Sequence, residues 1–352
     1  MIATLLPMNY DMYLIKLAKM NISYLFLVIA LCVIAGHSYA KEPNKICALY
    51  PHLKDSYWLS VNYGMVSEAE KQGITLRVLE AGGYLNPEKQ REQMKECVEW
   101  GADAIILGTV SPTLFYDSLA TDSKSIPIFA IVNRLLVDEE NKNVLKGMVG
   151  VDWYWMGYHA GNYLKLKHPK GSGKVEVALI PGPKNSGGTQ PVINGFKDAI
   201  KGSDVSISAT YWADNDKELQ RNLIQKIIDD EKELDYITGS AVAIEAAISE
   251  LRAADKETEV QLVSTYLSHG VYRGLLRNRI AFSPSDKMVK QGRISMIQAI
   301  NYLNNQPFDR TFSPDIATLT PNKIDDQVLS QSLSPSEFRP RFCTKKQSED
   351  PT

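Results

Sequence analysis

Large aromatic side chains gather in four short stretches of this sequence: Tyr57-Trp58, Tyr84, Trp153-Tyr154-Trp155 and Tyr266. Rings converging on one cleft would enclose a positive, poorly hydrated centre, since each ring face attracts a cation by about 0.5–2 kcal/mol. Quaternary and N-oxide amines are ligands of that description. Tyr57, Trp58, Tyr84, Trp153 and Tyr266 are the candidate ligand-binding residues, because all five fall in expected strand-end loops, where a large ring lacks a core to enter. Trp155, Tyr158 and Tyr163 stand at helical spacing and read as packing, and Trp100 and Trp212 as parts of a core. An N-oxide oxygen needs a donor as well: an indole N–H, a tyrosine hydroxyl or a backbone N–H. The sequence does not choose among them.

Asp286 follows the break Ser283-Pro284-Ser285, which makes it a second-tier ligand group, a hinge bond or, the preferred reading, a helix N-cap. The run Pro181-Gly182-Pro183-Lys184-Asn185-Ser186-Gly187-Gly188 lies between a strand and a helix, where backbone N–H groups can cradle an anion. Lacking GxGxxG or P-loop spacing, it reads as a turn with positive-φ glycines. No GxSxG, HExxH or CxxC occurs, and His52, His159, His168 and His269 lack metal-ligand spacing. No enzyme activity, metal or cofactor is expected.

The elements that must position the aromatics follow from periodicity. Residues 46–50, 60–72, 75–80, 87–100 and 104–107 alternate short apolar runs with amphipathic stretches and read β-α-β-α-β, with 126–132 as a fourth strand. A helix over 155–167 follows. A second alternating series covers 175–180, 189–200, 205–211, 217–230, 236–239, 241–253 and 260–266. Strands separated by helix-length segments pair in parallel, since the crossover returns the chain to the same end of the sheet. Ligand crevices of such sheets lie beyond the carboxyl ends of the strands, where the five aromatics stand. A late helix over about 286–304 returns to the first half, ahead of a Pro-bearing tail. The expected fold is α/β and two-lobed, each lobe a parallel sheet flanked by helices, joined by a hinge. Residues 41–151 plus about 284–310 form the N-terminal lobe, 152–283 plus about 311–342 the C-terminal lobe, and 343–352 a tail.

A length of 352 residues suffices for two such cores, and 44% apolar with 23% charged residues is the balance of a soluble globular chain. Lys and Arg number 39 against 41 Asp and Glu, which leaves no global attraction for nucleic acid or an anionic membrane. Lys16 and Lys19 precede a 12-residue apolar run over 25–36, and Ser38-Tyr39-Ala40 supplies small residues before a cut after Ala40. Residues 1–40 therefore read as a signal peptide, its apolar run too short to span a bilayer, with Met1 or Met20 as the start. Cys47, Cys97 and Cys343 remain in the mature chain. Cys47 opens the first strand and Cys97 lies near the end of the second helix, points that meet at the bottom edge of a parallel sheet. That pair is the disulfide candidate; two small buried hydrophobes is the alternative.

Longer strings carry more. Cys47-Ala48-Leu49-Tyr50-Pro51, Lys54-Asp55-Ser56-Tyr57-Trp58-Leu59-Ser60, Asn62-Tyr63-Gly64-Met65 and Val78-Leu79-Glu80-Ala81-Gly82-Gly83-Tyr84 are followed in order by Gly157-Tyr158, Gly195-Phe196, Gln220-Arg221-Asn222-Leu223, Tyr266-Leu267-Ser268-His269 and Ser332-Leu333-Ser334-Pro335. On these residues the chain resembles the type I periplasmic binding proteins of the ribose-binding class, from Ile46 to about Phe342. It is similar in particular to members that detect trimethylamine N-oxide together with a membrane sensor histidine kinase. The resemblance implies a periplasmic location, trimethylamine N-oxide as ligand, the kinase's periplasmic domain as partner, and control of a two-component phosphorelay for anaerobic respiration. A solute-binding component of an ABC importer, for a sugar or a betaine-like ligand, is the alternative with the same fold. Against a sugar, the loop Thr238-Gly239-Ser240-Ala241 carries no Asp or Asn where sugar binders place hydroxyl partners. For it, Asn133-Arg134 after the fourth strand looks like their polar pair, which makes Asn133 a second-tier ligand residue beside Asp286.

Overall fold

Apolar runs of three to eight residues become strands wherever helices cover both of their faces. The computed structural model describes residues 44–184, 186–230 and 233–344; the expected signal peptide, residues 1–40, and residues 345–352 of the expected tail lie outside them. In chain order come β1 (Lys45–Tyr50), α1 (Ser56–Lys71), β2 (Thr75–Glu80), α2 (Pro87–Glu99), β3 (Ala104–Leu107), α3 (Leu119–Asp122), β4 (Ile128–Ile131) and β5 (Leu145–Val149). Next are α4 (Trp153–Lys167), β6 (Val175–Gly182), α5 (Thr189–Ile200), β7 (Val205–Trp212), α6 (Lys217–Asp230), β8 (Tyr236–Gly239), α7 (Ala241–Ala253), β9 (Gln261–Ser264) and α8 (His269–Leu276). The chain then crosses back through β10 (Ser283–Ser285), α9 (Met288–Leu303), β11 (Thr311–Phe312), β12 (Ala317–Leu319) and α10 (Asp326–Ser332).

Two parallel sheets result. One has the strand order β11-β5-β4-β3-β1-β2 and the other β7-β6-β8-β9. Covered on both faces, their central strands are largely apolar; Ile46, Cys47, Ala48, Leu49 and Tyr50 of β1 are all 0% exposed. Glycines let the covering helices touch backbone to backbone. A Cβ at Gly64 of α1 would sit 2.0 Å from the Val289 carbonyl oxygen of α9, and one at Gly157 of α4 would sit 1.9 Å from the Val192 carbonyl oxygen of α5. Cys47 and Cys97 are joined as a disulfide with Cα atoms 5.7 Å apart, while Cys343 is free and exposed. Among the described residues no helix is long and apolar enough to cross a membrane.

Three departures from the sequence reading matter for the site. Helices α1 and α4 start earlier than expected, at Ser56 and Trp153, because an aspartate caps each: Asp55 Oδ1 accepts from the backbone N–H groups of Tyr57 and Trp58 at 3.1 Å, and Asp152 Oδ1 from that of Tyr154 at 3.0 Å. Tyr57, Trp58 and Trp153 thus stand on the first turns of helices rather than in loops. Trp155, read as packing, is 49% exposed, its ring set edge-on against Tyr154 and Tyr158.

The third correction concerns residues 311–342, expected in the C-terminal lobe, and the start of the tail. β11 is the edge strand of the first sheet, paired with β5. Past β12, which pairs antiparallel with β10 at the crossing, the chain runs back along the first lobe. The N–H of Ser334 donates to Ser60 Oγ at 3.1 Å, that of Arg341 to Asn62 Oδ1 at 3.0 Å, and the Val78 N–H donates to the Phe342 carbonyl at 2.7 Å. This segment covers the otherwise open edge of β2, whose unpaired N–H and C=O groups would favour association with another strand.

Candidate functional site: an aromatic cavity between the lobes

The carboxyl ends of the two sheets face each other across a cavity of about 50 Å³. Tyr57, Trp58, Tyr84 and Asn133 line it from the first lobe, Trp153 from the crossing helix, and Tyr266, Thr265 and Asn215 from the second lobe. All five sequence-predicted aromatics therefore meet at one place. Tyr57 and Tyr266 pack edge to face with centroids 5.3 Å apart, and Trp153 lies 6.0 Å from each. Trp58 is 1% exposed and rests on Tyr50 at 5.3 Å; a Cβ at Gly108 would come within 2.4 Å of its Cη2, so that position needs glycine.

The polar hydrogens of the cage are largely committed. Tyr57 donates its hydroxyl proton to Asp286 Oδ2 at 2.5 Å, Trp153 Nε1–H points at the Val132 carbonyl at 3.4 Å, and Thr265 donates to the Gly239 carbonyl at 3.1 Å. The indole N–H of Trp58 and the amide of Asn133 each donate to the Tyr84 oxygen at 3.3 Å. With both lone pairs engaged, Tyr84 keeps its own O–H proton for an acceptor in the cavity. Burial pushes the Tyr84 hydroxyl up to about 12 and those of Tyr57 and Tyr266 well above the ordinary phenol range. Each stays a neutral phenol, able to donate, at physiological pH.

One carboxylate lines the cavity, that of Asp55, whose field also bears on Tyr84 and Tyr266. The sequence reading missed it as a site residue, although its place one residue before a helix start is an N-cap signature that would have set its carboxylate beside Tyr57 and Trp58. Asn215 was missed too. It stands in the loop after β7, the location the strand-end rule singles out, and its Oδ1 is buried without a hydrogen-bond partner among the described residues. Asn133 stands in the lining as expected. Asp286 does not: neither a cavity residue nor a cap, it is 0% exposed behind Tyr57, and Lys287 occupies the N-cap position of α9 with no side-chain cap bond.

Two parallel-sheet lobes closing over a cavity at their carboxyl ends define a periplasmic-type binding protein. The family model for periplasmic binding proteins and the sugar-binding domain of the LacI family matches residues 43–331, and the chain belongs to that family. Periplasmic protein TorT of Escherichia coli (strain K12) is 44% identical over 304 residues, spanning 86% of this chain and 85% of that protein. Among solved structures, the complex of the TorS sensor domain with TorT matches at 61% identity without ligand and at 62% in the presence of trimethylamine N-oxide (TMAO); in both the TM-score is 0.81, with 85% of this chain and 99% of the other covered. An ABC transporter solute-binding protein from Bradyrhizobium sp. BTAi1 with bound Bis-Tris is 33% identical with a TM-score of 0.71, covering 86% of this chain and 90% of that one.

Proposed function

We propose that this chain is a periplasmic sensor protein that closes on trimethylamine N-oxide and regulates a membrane histidine kinase of the TorS type by presenting its closed form to the kinase's sensor domain. The observation that carries the reading is the cage itself. Five rings from both lobes, the carboxylate of Asp55 and the Tyr84 hydroxyl, whose oxygen already accepts from Trp58 and Asn133 and keeps its proton free to donate, surround a compact space. The cavity of about 50 Å³ suits a compact molecule. The ring faces and Asp55 attract the positive nitrogen, and Tyr84 donates to the oxygen.

Binding and shape change, not catalysis, are the function. Because the rings come from both lobes and from the crossing helix, the cage is complete only when the lobes are together. A ligand that prefers the complete cage shifts the equilibrium toward closure by its differential affinity and by nothing else. The comparison proteins support the partner as well: relatives more than 60% identical to this chain are solved with the TorS sensor domain.

The experiment is phosphorelay output of the full-length kinase, reconstituted with the mature chain and titrated with TMAO. A TMAO-dependent change in output that needs the chain supports the reading; identical output with and without the chain refutes it. The importer reading keeps one specific observation, the 33% identical solute-binding protein with a bound amine buffer. Permease genes beside this one, in place of kinase genes, would favour it.

A further inference from the structure

Tyr57 differs from the other cavity rings in where its hydroxyl ends. It donates to Asp286 Oδ2 at 2.5 Å, and the same oxygen accepts from Gln291 Nε2 at 2.8 Å. Gln291 also donates to the Asp286 backbone carbonyl at 2.8 Å, which pins that residue at the crossing between β10 and α9. The neighbouring Lys287 is turned away, its Nζ 2.6 Å from both carboxylate oxygens of Asp315. Asp286 thus has no ion-pair partner among the described residues, and Oδ1 has no hydrogen-bond partner. Burial pushes its carboxyl above the ordinary range while the bonds from Tyr57 and Gln291 draw it back.

A buried carboxylate held by hydrogen bonds alone leans on its donors. The bond from a phenol to a carboxylate is charge-assisted, and in a low-dielectric interior it polarises the donor. For Tyr57 that polarisation moves electron density into the ring. The attraction of a cation for an aromatic face comes from the negative side of the ring quadrupole, so a more electron-rich face holds a cation better and a neutral group no better.

We propose that Asp286 is a specificity-determining positioning residue: through the Tyr57 hydroxyl it fixes that ring against the cavity and enriches its face, making the site prefer a methylated cationic nitrogen to a neutral group of the same shape. The inference rests on the reading of the cage as a site for a cationic nitrogen. It goes further in assigning the preference to a residue that no ligand touches.

Asp286→Asn keeps the shape and an acceptor oxygen but removes the charge, and Tyr57→Phe keeps the ring but removes the hydroxyl. The mature chain and these variants, each with the TorS sensor domain present, are titrated by NMR with TMAO, tetramethylammonium and tert-butyl alcohol, probes of one shape and different charge. Asp286→Asn is expected to weaken both charged-nitrogen probes about tenfold and leave tert-butyl alcohol unchanged. The double variant should lose no more than Tyr57→Phe alone, since both substitutions act through one bond. Equal losses for charged and neutral probes, or no loss at all, would overturn the proposal. A parent chain that binds tetramethylammonium but not TMAO would refute the sensing function while the Asp286 comparison stays readable. A parent chain that binds neither would overturn both.

Discussion

Trp58 and Tyr84 meet indole to phenol: the Trp58 Nε1–H donates to the Tyr84 oxygen across 3.3 Å, and Asn133 donates to the same oxygen at the same distance. Tyr84 is left with its own O–H proton to donate into the cavity. Tyr84→Phe keeps the ring and deletes that proton. Hydrogen bonds to charged groups contribute about 1.5–3 kcal/mol, so TMAO affinity should fall about 10- to 100-fold. Tetramethylammonium, which has no oxygen, should bind the variant as well as the parent. Calorimetry with both ligands reads the difference, and equal losses for the two would remove Tyr84 as the oxygen's donor.

The same buried phenols set the alkaline limit of the fold. Tyr84 is raised from 10.0 to about 12 by burial, and Tyr57 and Tyr266 move the same way. Below pH 10 folded and unfolded chains both hold these protons. As pH rises through the window from 10 to about 12, the unfolded chain releases them first, so stability is lost with rising pH. Thermal unfolding midpoints should be flat up to about pH 9 and fall steeply above pH 10. A midpoint that does not fall above pH 10 would contradict the burial of these hydroxyls.

Trp58 and Trp153 face the same cavity but differ in what else they hold. Trp58 is 1% exposed against Tyr50 in the first lobe's core, and truncating such a ring to alanine costs about 3–5 kcal/mol. Its alanine variant should lower the unfolding midpoint as well as binding. Trp153 is only half-buried at the start of α4, so Trp153→Ala should abolish the TMAO response with little change in the midpoint. Circular dichroism melts beside binding isotherms separate the two, and a Trp153→Ala chain that still responds would remove that ring from the cage.

Lobe closure has its own contact outside the cavity. The backbone N–H of His269, in the second lobe, donates to Ser56 Oγ at 3.1 Å, and its Nε2 lies 2.7 Å from the carbonyl of Ser334, on the returning C-terminal segment. His269→Ala removes the side-chain bond, worth about 0.5–1.5 kcal/mol, and should raise the apparent Kd roughly 2- to 10-fold by lowering the closed fraction. His269→Gln, which reaches with a similarly placed N–H, should restore it. Small-angle scattering of the ligand-free variants should show His269→Ala more open than His269→Gln; indistinguishable profiles would mean the contact does not govern closure.

Much of this was legible in the sequence, for identifiable reasons. Alternating apolar runs and amphipathic stretches placed β1 to β4 and β6 to β9 but not β5 or the edge strand β11, and the strand-end rule gathered Tyr57, Trp58, Tyr84, Trp153 and Tyr266. Local signals were misjudged where two coincided: Asp55 and Asp152 are caps hidden among aromatics, so the helices they open were started late. What could not be read is long-range. Asp286 stands where a cap belongs, yet its side chain serves Tyr57, 229 positions away. The return of residues 334–344 along the first lobe leaves little periodic trace, because several of its ties, such as the Val78 N–H to the Phe342 carbonyl, are main chain to main chain and independent of side-chain type.

The central claim is that a cage of rings from both lobes takes up trimethylamine N-oxide, and calorimetric titration of the mature chain tests it most directly. Residues 41–352 are titrated with TMAO alone and again with the TorS sensor domain, with ribose as the comparison ligand. The account predicts saturable one-to-one binding of TMAO, at the least in the presence of the sensor domain, and no heat from ribose. Silence toward TMAO in both formats, or saturable binding of ribose, would contradict it.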